Sequence, residues 1–153
     1  RLRRELARKL TTGWPGIPGE SRAADQPVAA FASASLDRLG RKVGKKGRRF
    51  RSLDDDDLHE LRIATKKLRY AIEFFAGLFT SAKAQGREAR SLQALRELQD
   101  RLGDVQDIAV APALLVRALV PRAEWPALPP RKRLVERARE TYGRALAVKP
   151  FWR

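Results

Sequence analysis

The chain has 153 residues, with 33 Lys and Arg against 18 Asp and Glu, a formal charge of +15. That length suits one domain with a real core, and the charge creates a field that attracts polyanions such as nucleic acid, inorganic polyphosphate, anionic lipid or an acidic protein. There is no cysteine and only one histidine, which excludes disulfides, thiolate metal sites and histidine-rich metal sites, and no apolar run reaches membrane-spanning length.

The chain contains no Met, so Arg1 is expected to lie inside a longer protein. Residues Arg1 to Leu10 read as a short amphipathic helix, with Leu2, Leu6 and Leu10 on one side and Arg1, Arg4 and Arg8 on another. The segment Gly13-Trp14-Pro15-Gly16-Ile17-Pro18-Gly19 ends it, so 1–20 is read as a helix plus linker, separate from a helical bundle over 21–153. A second helix is expected from Asp25 as N-cap with Pro27 in its first turn. Val28, Phe31, Ser35, Leu39 and Val43 form its apolar face, and Gly40, Gly44 and Gly47 loosen its end. The run from Arg38 to Arg51 holds eight cations and no acid.

Asp54-Asp55-Asp56-Asp57 precedes the next helix. Carboxylates there cap free N–H groups and favour the positive end of the helix dipole, which explains the run better than a metal site does. The helix itself runs to about Phe79 and has two faces. Leu61, Leu68, Ile72, Phe75 and Phe79 make an apolar stripe, and His59, Arg62, Lys66 and Arg69 follow one another at spacings of three, four and three. Like charges one turn apart repel by roughly 0.2–0.5 kcal/mol per pair, a cost that an extended anion along the row would offset. At 1.5 Å per residue the row is about 15 Å long, a match for several phosphates in series. Arg offers a planar fork for phosphate oxygens and Lys a point charge. A solvated charged face explains the pattern about as well. Lys67 and Tyr70 flank the row; Tyr70 could support Arg62 or Lys66, and packing against a neighbouring helix is its preferred role.

A helix from Ala82 to Leu102 follows, with Leu92, Leu95, Leu98 and Leu102 as core and Gly103 as its terminator. Another is expected from Asp104 to Val120, kinked or started late by Pro112. Pro121, Pro126, Pro129 and Pro130 connect it to a last helix, Arg131 to Val148. The fold class is therefore all-α, an antiparallel bundle of four main helices plus the short N-terminal one. A secondary basic surface is assigned to Arg38, Arg41, Lys42, Lys45, Arg87 and Arg90. No phosphate loop, nucleophile elbow or zinc-protease motif is present, so no catalytic residue, metal or cofactor is assigned and the chain is read as a non-enzyme.

The stretch Leu58 to Tyr70 (LHELRIATKKLRY) closely resembles the signature of the CHAD family, the conserved-histidine α-helical domains. Leu95 to Asp107 and the closing Lys149-Pro150-Phe151-Trp152 also resemble it, so the likeness covers roughly Leu36 to the C-terminus. The resemblance implies binding of inorganic polyphosphate in a basic channel, through His59, Arg62, Lys66 and Arg69 with Lys67 a lesser contributor. Members carry two signature helices in two pseudo-symmetric halves. This chain carries one and looks like the C-terminal half, with Arg1–Leu10 resembling the last helix of the other. A cytoplasmic binding module without turnover is expected, and a homodimer that restores the channel. The alternatives are a nucleic-acid-binding protein and, behind it, an accessory domain of a polyphosphate- or triphosphate-processing enzyme.

Overall fold

The computed structural model describes residues 27–153, and those residues form four α-helices with no strand among them. The expected N-terminal helix, the linker and the Asp25 cap lie outside the described residues. Helix α1 spans Val28–Lys46, α2 Asp55–Phe75, α3 Ala82–Arg117 and α4 Arg131–Ala147, joined by short 3-10 turns at Phe50–Ser52, Ala76–Leu78 and Arg122–Glu124. Helix α2 packs against α1 and α3, and α3 packs against α4. None of these helices is long and apolar enough to cross a membrane.

The start of α1 differs from expectation. Pro27 stands at the N-cap rather than in the first turn. The buried face is Ala32, Leu36 and Val43, while Val28 and Phe31 are exposed. The phase shifts because Phe31 places its ring edge-on to Phe75 at the rim of the core, 6.2 Å between centroids, leaving the interior to Ala32 and Leu36. The glycines do not fray the helix, which runs to Lys46. Gly47 follows at φ −90°, a value any residue can adopt. What it provides is space, since a Cβ there would fall 2.3 Å from the Tyr142 ring. That close approach lets the Tyr142 hydroxyl donate to the Gly44 carbonyl at 2.9 Å and its ring pack on Phe50. Burial pushes the Tyr142 phenol up from its ordinary value.

Helix α2 begins as its sequence indicates. The Asp54 side chain accepts from the Asp57 N–H at 2.8 Å, a side-chain N-cap. Asp55 is an ion-pair partner of Arg131 at the start of α4. Leu58, Leu61, Ala64, Leu68 and Ile72 enter the core, with Phe75 and Phe79 packed at its edge. The buried Thr65 hydroxyl donates to the Leu61 carbonyl of its own helix, so it leaves no unpaired donor inside.

Helix α3 is one helix where two are expected. It continues through Gly103 and Pro112 for 36 residues, about 54 Å at 1.5 Å per residue. Leu95, Leu98, Leu102 and Val105 are buried along one stripe that crosses Gly103. That burial outweighs the roughly 0.5–1 kcal/mol an interior glycine costs. The helix stops at Arg117, short of the expected Val120. Leu119 takes a left-handed conformation (φ 55°), and the N–H groups of Leu119 and Val120 donate to the Val116 and Leu115 carbonyls. This is a Schellman-type ending with Leu where Gly is usual.

The C-terminal segment closes the structure. Phe151 is buried with its ring against Phe79, and the Trp152 indole N–H donates to Asp37 on α1 at 2.7 Å. Arg153 holds the same carboxylate oxygen at 2.8 Å, and Ser33 donates to the Trp152 carbonyl.

Candidate functional site

The basic row of α2 borders α3. His59 Nδ1 lies 2.9 Å from the Gln106 side-chain oxygen. With that oxygen as acceptor, Nδ1 carries the proton and Nε2 is the unengaged ring nitrogen. Arg62 comes next, beside Gly103, where an added Cβ would lie 3.8 Å from Arg62 Nε. That Nε is buried and has no hydrogen-bond partner among the described residues. At the far end Arg69 Nε donates to Gln99 Oε1 at 2.7 Å, and its Nη1 to Glu73 Oε1 at 2.7 Å. Glu73 also takes Arg96 of α3 at 3.1 Å.

Two rows therefore meet along the seam. On α2 stand His59, Arg62, Lys66, Arg69 and Glu73. On α3 stand Gln106, Gly103, Gln99 and Arg96. The glutamines, Gly103 and Arg96 were not singled out as site residues in the sequence. Their spacing of three, four and three, matching that of the basic row, is the signal that marks them as one helix face. Glu73 was equally legible as an i, i+4 partner of Arg69.

The chemistry of the seam is lopsided. Gln99 turns its amide oxygen to Arg69 and Gln106 to His59, which leaves their NH₂ donors. Arg and Lys have donors only. Among the described residues Glu73 is the one carboxylate tied to the row, and it compensates both Arg69 and Arg96.

Lys66 is exposed, its Nζ 5.6 Å from the Tyr70 ring centroid, and the Arg69 guanidinium is 4.4 Å from the same ring. Tyr70, 49% exposed, thus supports two cations instead of packing against a neighbouring helix as expected. Lys67 is exposed and joins neither an ion pair nor a hydrogen bond among the described residues.

The six residues of the secondary basic surface fall in different places. Lys42 and Lys45 line a pocket with Lys46 and Asp57, while Lys46 pairs with Glu60 at 3.3 Å. Arg41 borders a half-open pocket of about 190 Å³ together with Asp37, Trp152 and Arg153. Arg38 is exposed on α1. Arg87 and Arg90 line a pocket on α3 with Arg144, Ala147, Val148 and Lys149. Among the described residues, no group of three or more His, Cys, Asp or Glu side chains could hold a metal ion.

An all-helical chain whose longest helix shares a donor-rich, cationic seam with a signature-bearing neighbour defines a class of basic helical domain. The chain belongs to the CHAD family: the family model described as CHAD domain matches residues 1–116. The match begins at the first residue, ahead of the Leu36 boundary read from motifs, and ends within α3, so α4 and the closing Lys-Pro-Phe-Trp lie outside it. No curated protein and no solved structure matches the chain.

Proposed function

We propose that the seam between α2 and α3 binds inorganic polyphosphate without turning it over. The observation that carries this reading is the direction of its hydrogen-bonding capacity. Along about 15 Å of helix, the Gln99 oxygen and Glu73 Oε1 accept from within the seam and the Gln106 oxygen lies against His59, while arginine, lysine and amide donors are left over, including the buried, unpartnered Nε of Arg62. An unsatisfied buried donor costs about 1–3 kcal/mol, which an anion oxygen would recover. Residue pairs 59 with 106, 69 with 99 and 73 with 96 run in opposite order on the two helices. They support an antiparallel bundle, in which such a seam is straight and continuous.

The test is a titration with polyphosphate at several salt concentrations. Replacing Arg62, Lys66 and Arg69 together with Gln is expected to weaken binding. It should also flatten the log–log salt slope by about 2, from roughly 0.7 per neutralised phosphate on a flexible strand. Unchanged affinity in the triple variant would overturn the site. Release of phosphate by the isolated chain with magnesium would overturn the absence of turnover.

The nucleic-acid reading has weaker support. Non-specific single-strand binders stack bases on free aromatic rings, whereas the ring beside this row, Tyr70, is already taken by Lys66 and Arg69. Competition between polyphosphate and single-stranded RNA of matched charge separates the two, with preference for RNA defeating the first reading.

We also infer that a second copy supplies the facing wall of the channel, as a homodimer. Supporting this, Val110, Leu114, Val116 and Leu119 expose apolar side chains at the end of α3. A strictly monomeric sedimentation profile at high concentration would refute it.

A further inference from the structure

Arg87, Arg90, Arg144 and Lys149 line one pocket of about 390 Å³ between the start of α3 and the end of α4, and no acidic residue lines it with them. At about 100° per residue, Arg87 and Arg90 stand roughly opposite Gln99, Gly103 and Gln106 around α3, with the buried Leu95–Leu98–Leu102 stripe between the two faces. This pocket is therefore on the far flank of α3 from the α2 seam.

Two of its cations, Arg87 and Arg90, are held in place by backbone carbonyls rather than carboxylates. Arg87 Nη1 donates to the Pro150 carbonyl at 3.4 Å, and Arg90 Nε to the Gly86 carbonyl at 3.1 Å. Each contact uses one N–H of a five-donor fork and leaves the positive charge uncompensated. Arg144 gives one nitrogen to Glu97 at 2.6 Å and to Thr141, so among the described residues Glu97 is the one carboxylate tied to this group, reached through Arg144. Lys149 has no partner among the described residues. The C-terminal end of α4 contributes about half a negative charge, which three uncompensated cations outweigh.

We propose that this pocket is a second anion site, for a compact phosphate group: free pyrophosphate or orthophosphate, or the terminal phosphoryls of a longer chain. The size follows from geometry. Arg87 and Arg90 are one turn apart, about 4.5 Å along the axis, which spans one or two phosphoryl groups, whereas the α2 row spans several. The site does not depend on the polyphosphate reading of the seam.

The test uses calorimetric titration with inorganic pyrophosphate and orthophosphate, and separately with long-chain polyphosphate, in the Arg62→Gln/Lys66→Gln/Arg69→Gln background. Pyrophosphate is expected to bind with saturable one-to-one stoichiometry although the seam is disabled. Adding Arg90→Gln/Lys149→Gln, both exposed positions, should weaken it about tenfold or more, while a charge-matched pair on other surfaces, Arg117→Gln/Arg133→Gln, should change it less than threefold. Retained binding of pyrophosphate identifies a free-phosphate site. Retained binding of long chains alone, lost on adding Arg90→Gln/Lys149→Gln, identifies an end-binding site. No binding of any of these anions in the seam-disabled background, or equal losses from both charge pairs, would overturn the proposal in favour of a diffuse field.

Discussion

Replacing Glu73 by Gln should tighten polyphosphate binding. The Glu73 carboxylate is 2.7 Å from Arg69 Nη1 and 3.1 Å from Arg96 Nη2, so it neutralises one end of the row proposed to meet phosphate. A phosphoryl oxygen bound on the other side of the Arg69 fork would lie roughly 6 Å from that carboxylate, two N–H···O distances of about 2.8 Å placed end to end. Repulsion at that separation is about 0.7 kcal/mol in bulk water and about 2.8 kcal/mol at an effective dielectric of 20. Physiological salt, with a Debye length of about 8 Å, roughly halves both. Removing the charge should therefore tighten binding by about two- to tenfold per closely placed phosphate, with the gain largest at low salt. Arg69 keeps its position because Gln99 still holds Nε at 2.7 Å. The assay is titration of wild type and Glu73→Gln with a polyphosphate of defined length at roughly 50 and 200 mM salt, with circular dichroism to check the fold. A gain in affinity cannot come from damage to the structure. Equal or weaker binding at low salt in a folded variant would show that Arg69 and Arg96 do not meet the anion.

Gly47→Ala is expected to destabilise the fold through space rather than backbone strain. The added Cβ would lie 2.3 Å from the Tyr142 ring, so the ring must move and forfeit its bond to the Gly44 carbonyl. Overpacking of about 1–3 kcal/mol and a hydrogen bond of about 1 kcal/mol predict a melting temperature lower by about 5–15 °C, and a change under 2 °C would refute the contact. Acid stability should track Asp37, whose carboxyl is held below its ordinary value chiefly by the Trp152 indole N–H, with burial opposing and Arg153 and Arg41 adding to it. A carboxylate with a lowered folded-state pKa contributes stability above its unfolded value of about 3.9, and that contribution is lost as pH falls through the folded value. Asp37→Asn should therefore cost about 1–2 kcal/mol at neutral pH and less in acid, once the pH has fallen through the lowered folded value. A destabilisation equal at neutral and acid pH would contradict that role.

Much of this protein follows from spacing along the chain. Helix α2, its Asp54 cap and the succession of apolar and basic residues along it are local consequences of which residue recurs every three or four positions. The cap and the buried Leu61, Leu68 and Ile72 fall as expected, but the helix ends at Phe75, short of the expected Phe79, which packs on the core from beyond the Ala76–Leu78 turn. The signature in that helix was also enough to indicate the family. Where the reading failed, a local rule met a long-range contact. Gly103 reads as a terminator by itself, but Leu95, Leu98, Leu102 and Val105 bury one continuous stripe, and packing outweighs one glycine. Tyr70 reads more readily as packing against a neighbouring helix than as a support for the row, yet its ring lies against Lys66 and Arg69.

The sequence by itself determined an all-helical, strongly basic chain and the row on α2, because charge and periodicity are properties of neighbouring residues. Only the tertiary structure decided what the row faces. Gln99 and Gln106 orient its side chains, Glu73 limits its free charge, and Arg62 is left with a buried donor. It also brought Arg144 and Lys149 to Arg87 and Arg90. These pairings join residues far apart along the chain, 47 positions in the case of His59 and Gln106, and no periodicity encodes them, since they arise from how α2 and α4 each seat against α3.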